Sequence, residues 1–354
     1  ANNTIITDDL GIDADNTIGL TNPLRVDVEN LAATSTVSGD INIIEVGAVT
    51  IASVGGITGV STTASDINLM SGGLLIINSN VNAGSNGSVT INASSVEIEA
   101  TIASTNSTLG DGNGTITIDV SASITGDAGL IHSEGGAAGL NAGTGIGSQA
   151  FPIDTQVGTV AASVTTNGGG VFLDEVDALT IGNVDGLLGI NTSNGEIVIT
   201  ASDLTLSNTI QSGSGNITLQ PIAAGSTIAI GGGSGSFTLD ETELTTRMNS
   251  TGTLTIGRSG GTGAIDIGTA NLSGETYNLT LRGGPITTSG TLTLPQGNTI
   301  LEAVGSATDD IAISQDISKT TGSNATLTLR ANDNIIFSSS GADVTSTSNQ
   351  LSVV

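Results

Sequence analysis

Between Asn194 and Asp240 one short phrase recurs at a fixed interval of 20 residues: Asn194-Gly-Glu-Ile-Val-Ile, Ser214-Gly-Asn-Ile-Thr-Leu and Ser234-Gly-Ser-Phe-Thr-Leu. A glycine opens each copy, and two apolar residues then alternate with one that can face water. This period of two is that of a strand with one buried face. Ile197, Ile199, Ile217, Leu219, Phe237 and Leu239 are the expected inward positions and are predicted to stack in ladders. Val198, Thr218 and Thr238 point outward. Self-similarity at this interval is the signature of a solenoid whose coils are built of strands.

The phrase reaches both ends of the chain. Gly39-Asp-Ile-Asn-Ile, Ser65-Asp-Ile-Asn-Leu, Gly87-Ser-Val-Thr-Ile and Gly114-Thr-Ile-Thr-Ile carry it early, at uneven intervals that place the extra residues in turns. Gly252-Thr-Leu-Thr-Ile, Gly263-Ala-Ile-Asp-Ile, Tyr277-Asn-Leu-Thr-Leu, Gly290-Thr-Leu-Thr-Leu and Asn324-Ala-Thr-Leu-Thr-Leu carry it late. No sustained period of 3.6 occurs, so helices are not expected. The expected fold is all-β, a parallel β-helix of about 20 residues per coil with two or three strands in each and little or no α-helix. At that spacing the chain makes roughly 15 to 18 coils, stacked over a distance on the order of 70–85 Å. It is read as one continuous solenoid over residues 1–354. Coil lengths are irregular in 1–125, looser and rich in Gly and Ala in 126–193, and most regular in 194–354.

Composition narrows the core. Aromatic residues are 1% of the chain, Trp and Cys are absent and Gly numbers 51, so the core is narrow and filled by Ile, Val and Leu. Without Cys there is no disulfide, thiolate metal site or cysteine nucleophile. The net charge is −27, with six Lys and Arg against 33 Asp and Glu. This removes the cationic clusters that nucleic acids or anionic membranes require. No run approaches the apolar length of a membrane helix, so membrane insertion is not expected. The chain starts without Met, a basic leader or a signal peptide, and it reads as a processed protein or a piece of a longer one.

Leu140-Asn-Ala-Gly-Thr-Gly-Ile-Gly-Ser, Pro152-Ile-Asp-Thr-Gln-Val, Ala178-Leu-Thr-Ile-Gly, Asn194-Gly-Glu-Ile-Val-Ile and Gly252-Thr-Leu-Thr-Ile-Gly resemble the repeat region of filamentous-haemagglutinin-like large bacterial exoproteins. The likeness runs from about Gly126 onward and more loosely before it. It implies a right-handed parallel β-helix at the bacterial cell surface or in the extracellular space, serving as the rod of an adhesin or filament. The expected partners are a second copy joined end to end, or a receptor or glycan on a host or neighbouring cell.

Catalysis is not expected. Enzymes on this fold cluster Asp with basic residues on neighbouring coils, whereas the one His, His132, and the one Lys, Lys319, are far apart in sequence. His132 with Glu134 is the nearest approach to a general base and is read as a surface loop. Asp309-Asp310 is read as a solvated turn before the strand Ile311-Ala-Ile. No cofactor is implied, Ca²⁺ being the one weak candidate. Gly110-Asp-Gly-Asn-Gly-Thr-Ile-Thr-Ile-Asp partly matches a Ca²⁺-binding nonapeptide and offers Asp111, Asn113 and Asp119, but a single copy lacks the second turn such a site shares.

Overall fold

Alternation of apolar and polar residues gives short parallel strands that stack coil upon coil. A computed structural model of the protein describes residues 3–105, 114–322, 324–346 and 351–354. It is an all-β solenoid of about 14 turns spaced about 24 residues apart, with 2% helix. The spacing exceeds the expected 20 because corners absorb the surplus. Stacked positions lie 26 residues apart at Asn42 and Asn68, 20 at Thr200 and Gln220, and 37 at Asn216 and Thr253.

The coils group into two compact units, Ala1–Val176 with Gly182–Asn191, and Asp177–Ile181 with Thr192–Val354. In the first, a coil has three strands: Ile67–Ser71, Leu74–Ile77 and Val81–Asn82 pair in parallel with Val89–Ala93, Ser95–Ile98 and Ile102–Ala103. Ile41, Ile67, Val89, Ile116, Ala138 and Val160 form one inward ladder, each fully buried. Every such Ile or Val contributes about 1.5–3 kcal/mol by leaving water, and the contributions add between neighbouring coils.

The corners explain the opening glycines. A Cβ on Gly215 would stand 2.0 Å from the Gly195 carbonyl oxygen, and one on Gly252 would stand 2.4 Å from that of Gly215. Buried hydroxyls bond the same carbonyls, Thr192 to Gly195 at 2.8 Å and Ser212 to Gly215 at 2.7 Å.

In the second unit the predicted ladder is corrected at its third step. Ile197 pairs with Ile217 and Ile199 with Leu219, but the next residues in line are Leu254 and Ile256. Phe237 and Leu239 pair instead with Ile228 and Ile230 in a separate six-stranded sheet. The run Gly231-Gly-Gly-Ser-Gly lets the chain return after Ile230 and lay Phe237–Leu239 parallel beside the strand it has just left. Asp203 accepts from the Thr238 amide at 2.8 Å and Asp266 from the Ser234 amide at 2.7 Å, which holds the inserted segment from both sides. A five-residue π-helical turn, Glu243–Arg247, follows, and the buried Tyr277 hydroxyl donates to its Leu244 carbonyl at 3.1 Å.

Residues 126–193, expected to be looser, instead carry the two longest strands, Leu130–Ala142 and Ile153–Val164. Each runs through a corner, with an irregularity between Ser133 and Ala137. Small residues are needed here because an outer layer rests on them.

Candidate functional site

That outer layer is a pair of antiparallel hairpins, both in the first unit. Ser53–Val54 pairs with Ile57–Thr58, and Asn183–Val184 with Leu187–Leu188. Left-handed backbone at Gly55 and Gly56 (φ 60° and 92°), and at Asp185 and Gly186 (φ 49° and 90°), gives the tight turn that matches strand twist. Each hairpin covers an outward Gly–Ala pair. A Cβ on Gly11, which pairs with Ala32, would stand 2.9 Å from the Val54 carbonyl. One on Gly139, which pairs with Ala161, would stand 3.3 Å from Val184 Cγ1. Ala32 and Ala161 are fully buried although they face outward.

The two hairpins end two copies of one longer sequence, Glu45-Val-Gly-Ala-Val-Thr-Ile-Ala-Ser-Val-Gly-Gly-Ile-Thr-Gly-Val and Glu175-Val-Asp-Ala-Leu-Thr-Ile-Gly-Asn-Val-Asp-Gly-Leu-Leu-Gly-Ile. The leading glutamates have matching roles. Glu45 is buried and accepts from the amides of Val28 at 3.1 Å and Gly47 at 2.9 Å. Glu175 is buried and accepts from Val157 N at 3.2 Å, Val176 N at 3.0 Å and Thr155 Oγ1 at 2.8 Å. Amide bonds of this kind make a buried carboxylate tolerable and fix the turn that follows it.

Beyond the hairpins the outward rows of the first unit carry polar side chains. Asn42 and Asn68 bond each other at 2.8 Å. The neighbouring row runs Met70, Asn92, Asp119, Asn141 and Ser163 on successive coils. Its members from Met70 to Asn141 wall a shallow groove of about 550 Å³ whose floor is formed by the corners at Gly72, Ser94, Ser121 and Gly143, with Thr165 at its end. Asn141 Nδ2 donates to Asp119 Oδ1 at 2.8 Å, which leaves the second carboxylate oxygen and the Asn141 carbonyl oxygen open. Asn92 makes no side-chain hydrogen bond to the described residues. Chemically the groove offers amide donors, carbonyl acceptors and one carboxylate, repeated at the coil spacing.

A second hollow, of about 340 Å³, lies at another corner of the same unit, between Glu97, Glu99, Asp127 and the exposed Phe151. The Glu99 carboxyl is held above its ordinary range, first by a hydrogen bond with Asp127, then by burial and by the charges of Asp127 and Glu97. Glu99 therefore holds its proton to higher pH than an isolated carboxylate would.

No protein-family model, curated protein or solved structure matches the chain.

Of the residues singled out from sequence, Asp119 lies in the groove wall, while Asp111 and Asn113 lie outside the described residues. Among the described residues no group of three or more His, Asp or Glu is placed to hold a metal ion, and no helix is long and apolar enough to cross a membrane. His132 is not in a loop. It sits within Leu130–Ala142, half-buried, with Nε2 shielded from solvent and lacking a hydrogen bond to the described residues. The long strand continues through the corner and takes the histidine into its ladder between Ala103 and Gln156. Asp309 is not solvated either. It is 4% exposed and accepts from the Ser306 amide and hydroxyl, at 2.5 and 2.8 Å, closing the turn before Ile311. Asp310 accepts from the Asn334 amide at 2.8 Å one coil on. Lys319 is fully buried, its Nζ donating to the carbonyls of Pro295 at 2.9 Å and Gln296 at 3.0 Å, and burial lowers its pKa.

Sequence reading gave Asn92, a chance Asn-x-Ser sequon, and Asn141 no part in a site, and it passed over both hairpins. The shared wording after Glu45 and Glu175, with Gly-Gly and Asp-Gly at the tips, is the signal that marks the hairpins.

Proposed function

We propose that the chain is a structural, non-catalytic segment of a bacterial surface protein, the extracellular rod or shaft of an adhesin. The observation that supports it best is the continuity of the inward ladders in each unit, from Ile41 to Val160 and from Ile197 to Leu327. A stack of parallel strands resists extension because every coil is hydrogen-bonded to both neighbours, and its stability grows with the number of interfaces. The outward residues then meet the surroundings while the core meets none of them. Antibodies against the chain should label intact bacteria that produce it; labelling seen only after lysis would overturn the surface assignment. When the purified chain is pulled by its ends, force should release it in steps of one or a few coils. Extension without resistance would remove the mechanical reading.

End-to-end assembly into a filament is the second reading, and one observation favours it. Ile335 and Phe337 occupy the ladder positions above Ile311 and Ile313, yet they are 46% and 56% exposed where the residues beneath are fully buried. In this reading a coil of a second copy packs on the row.

A further inference from the structure

The geometry points to the groove walled by Asn92, Asp119 and Asn141 as a binding site for an unbranched neutral glycan lying across the coils. Four features of the site lead to this ligand. Its polar groups repeat once per coil, about 4.8 Å apart, over roughly 20 Å from the Met70 coil to the Thr165 coil. That step is close to the advance of one hexopyranose in an extended chain, and it is out of step with the roughly 3.4 Å per residue of an extended peptide. Hydrogen-bonding capacity is open where a sugar needs it. The Asn92 side-chain amide has no partner among the described residues, and Asp119 and Asn141 each keep an oxygen that their mutual bond does not use. Elsewhere on this outward face Asn68 is bonded to Asn42, and Gly139 lies under a hairpin whose Asp185 reaches Thr117 at 3.5 Å. The groove is where such open groups recur on three successive coils, at Asn92, Asp119 and Asn141.

Charge selects among glycans. Arg25 is the only Arg or Lys before Arg247 in the sequence, and Asp119 stands in the middle of the wall. Sulfated, uronic or sialylated chains meet like charge there with no cation to offset it. A neutral chain meets hydroxyl acceptors and amide donors, and the half-exposed Met70 at one end offers an apolar contact for a sugar's C–H face. No aromatic side chain lines the groove. Single-site affinity is therefore weak, and useful attachment comes from many copies acting together. The site does not depend on the structural role proposed above, since a groove of this kind can serve a shaft or a filament alike.

The test titrates cellohexaose, maltohexaose and laminarihexaose separately into the purified full chain, with saturation-transfer NMR and calorimetry as readouts and a heparin-derived hexasaccharide as the anionic control. At least one neutral hexasaccharide should bind, with a dissociation constant in the range of micromolar to millimolar. Asp119→Ala should weaken it about tenfold. Asn92→Ala removes a side chain without a hydrogen-bond partner among the described residues, so it should leave the melting temperature unchanged while weakening binding several-fold. Binding by none of the three neutral chains would overturn the proposal. So would binding that both variants leave intact, or tighter binding of the heparin fragment.

Discussion

Thr299 lies in an inward ladder between Leu279 and Leu327, is 1% exposed, and its hydroxyl has no hydrogen-bond partner among the described residues. A buried hydroxyl left unbonded costs about 1–3 kcal/mol, and valine has nearly the same shape. Thr299→Val should raise stability by roughly 1 kcal/mol in urea unfolding; a fall of that size would mean that the hydroxyl is satisfied. Three positions along the same strand the balance is reversed. Glu302 is stacked between Arg282 and Arg330, bonded to each at 2.5 Å. Burial alone would raise its pKa, but the hydrogen bonds and charges of Arg282 and Arg330 outweigh burial and hold it below the ordinary 4.5. A carboxylate with a lowered pKa stabilises the fold fully above its unfolded pKa and ceases to do so as pH falls through its folded value. Glu302→Gln should therefore lower stability by roughly 1–3 kcal/mol at pH 7. The gap between variant and parent should close as melting is repeated at progressively lower pH, below 4.5. A gap independent of pH would show that the charge is not what matters.

At the scale of elements, the hairpins act as straps over small-residue seats, and the seats are the point of attack. At Gly139 an added side chain larger than methyl must displace Val184 and Leu187, whose nearest atoms already stand 3.3 and 3.5 Å from where a Cβ would lie. Gly139→Val should cost about 1–3 kcal/mol, the usual penalty of overpacking. It should also speed hydrogen exchange at the Gly189 amide, which closes the hairpin base on the Gly182 carbonyl at 2.7 Å. Unchanged protection of Gly189 would mean that the strap does not rest on this seat. The strands themselves were legible in the sequence, because alternation such as Ile197-Val198-Ile199 reports a buried face from local residues alone. What stacks on what was less so. Spacing counted along the chain put Phe237 above Ile217, whereas the insert held by Asp203 and Asp266 moves it aside and lets Leu254 take its place. The groove was illegible for the same reason. Asn92, Asp119 and Asn141 become neighbours only once coils of unequal length have stacked, and Asp119 on its own read as a stray metal ligand. His132 misled because its Ser and Gly neighbours are turn residues in most contexts, yet here they line a strand that bends through a corner.

For the whole molecule the governing quantities are the net charge of −27 and the open apolar row at Ile335 and Phe337. They act in opposite directions. Like charge keeps copies apart over a Debye length of about 8 Å at physiological ionic strength, and that length falls to about 3 Å at 1 M salt. Burial of an apolar row against another coil gains about 25 cal/mol per Å² and is not weakened by salt. If the row is an assembly surface, association should therefore strengthen as salt rises, the reverse of an interface held by ion pairs. Sedimentation velocity of the purified chain at roughly 0.02 M and 1 M NaCl tests this: a shift to larger species at high salt is expected. Phe337→Glu should prevent the shift. It places a charge in the row while leaving the ladder beneath, Ile311 and Ile313, with its other neighbours. A chain that stays monomeric in both conditions, or that associates equally well with Glu at 337, leaves the row without a role in assembly. The single shaft would then be the better account.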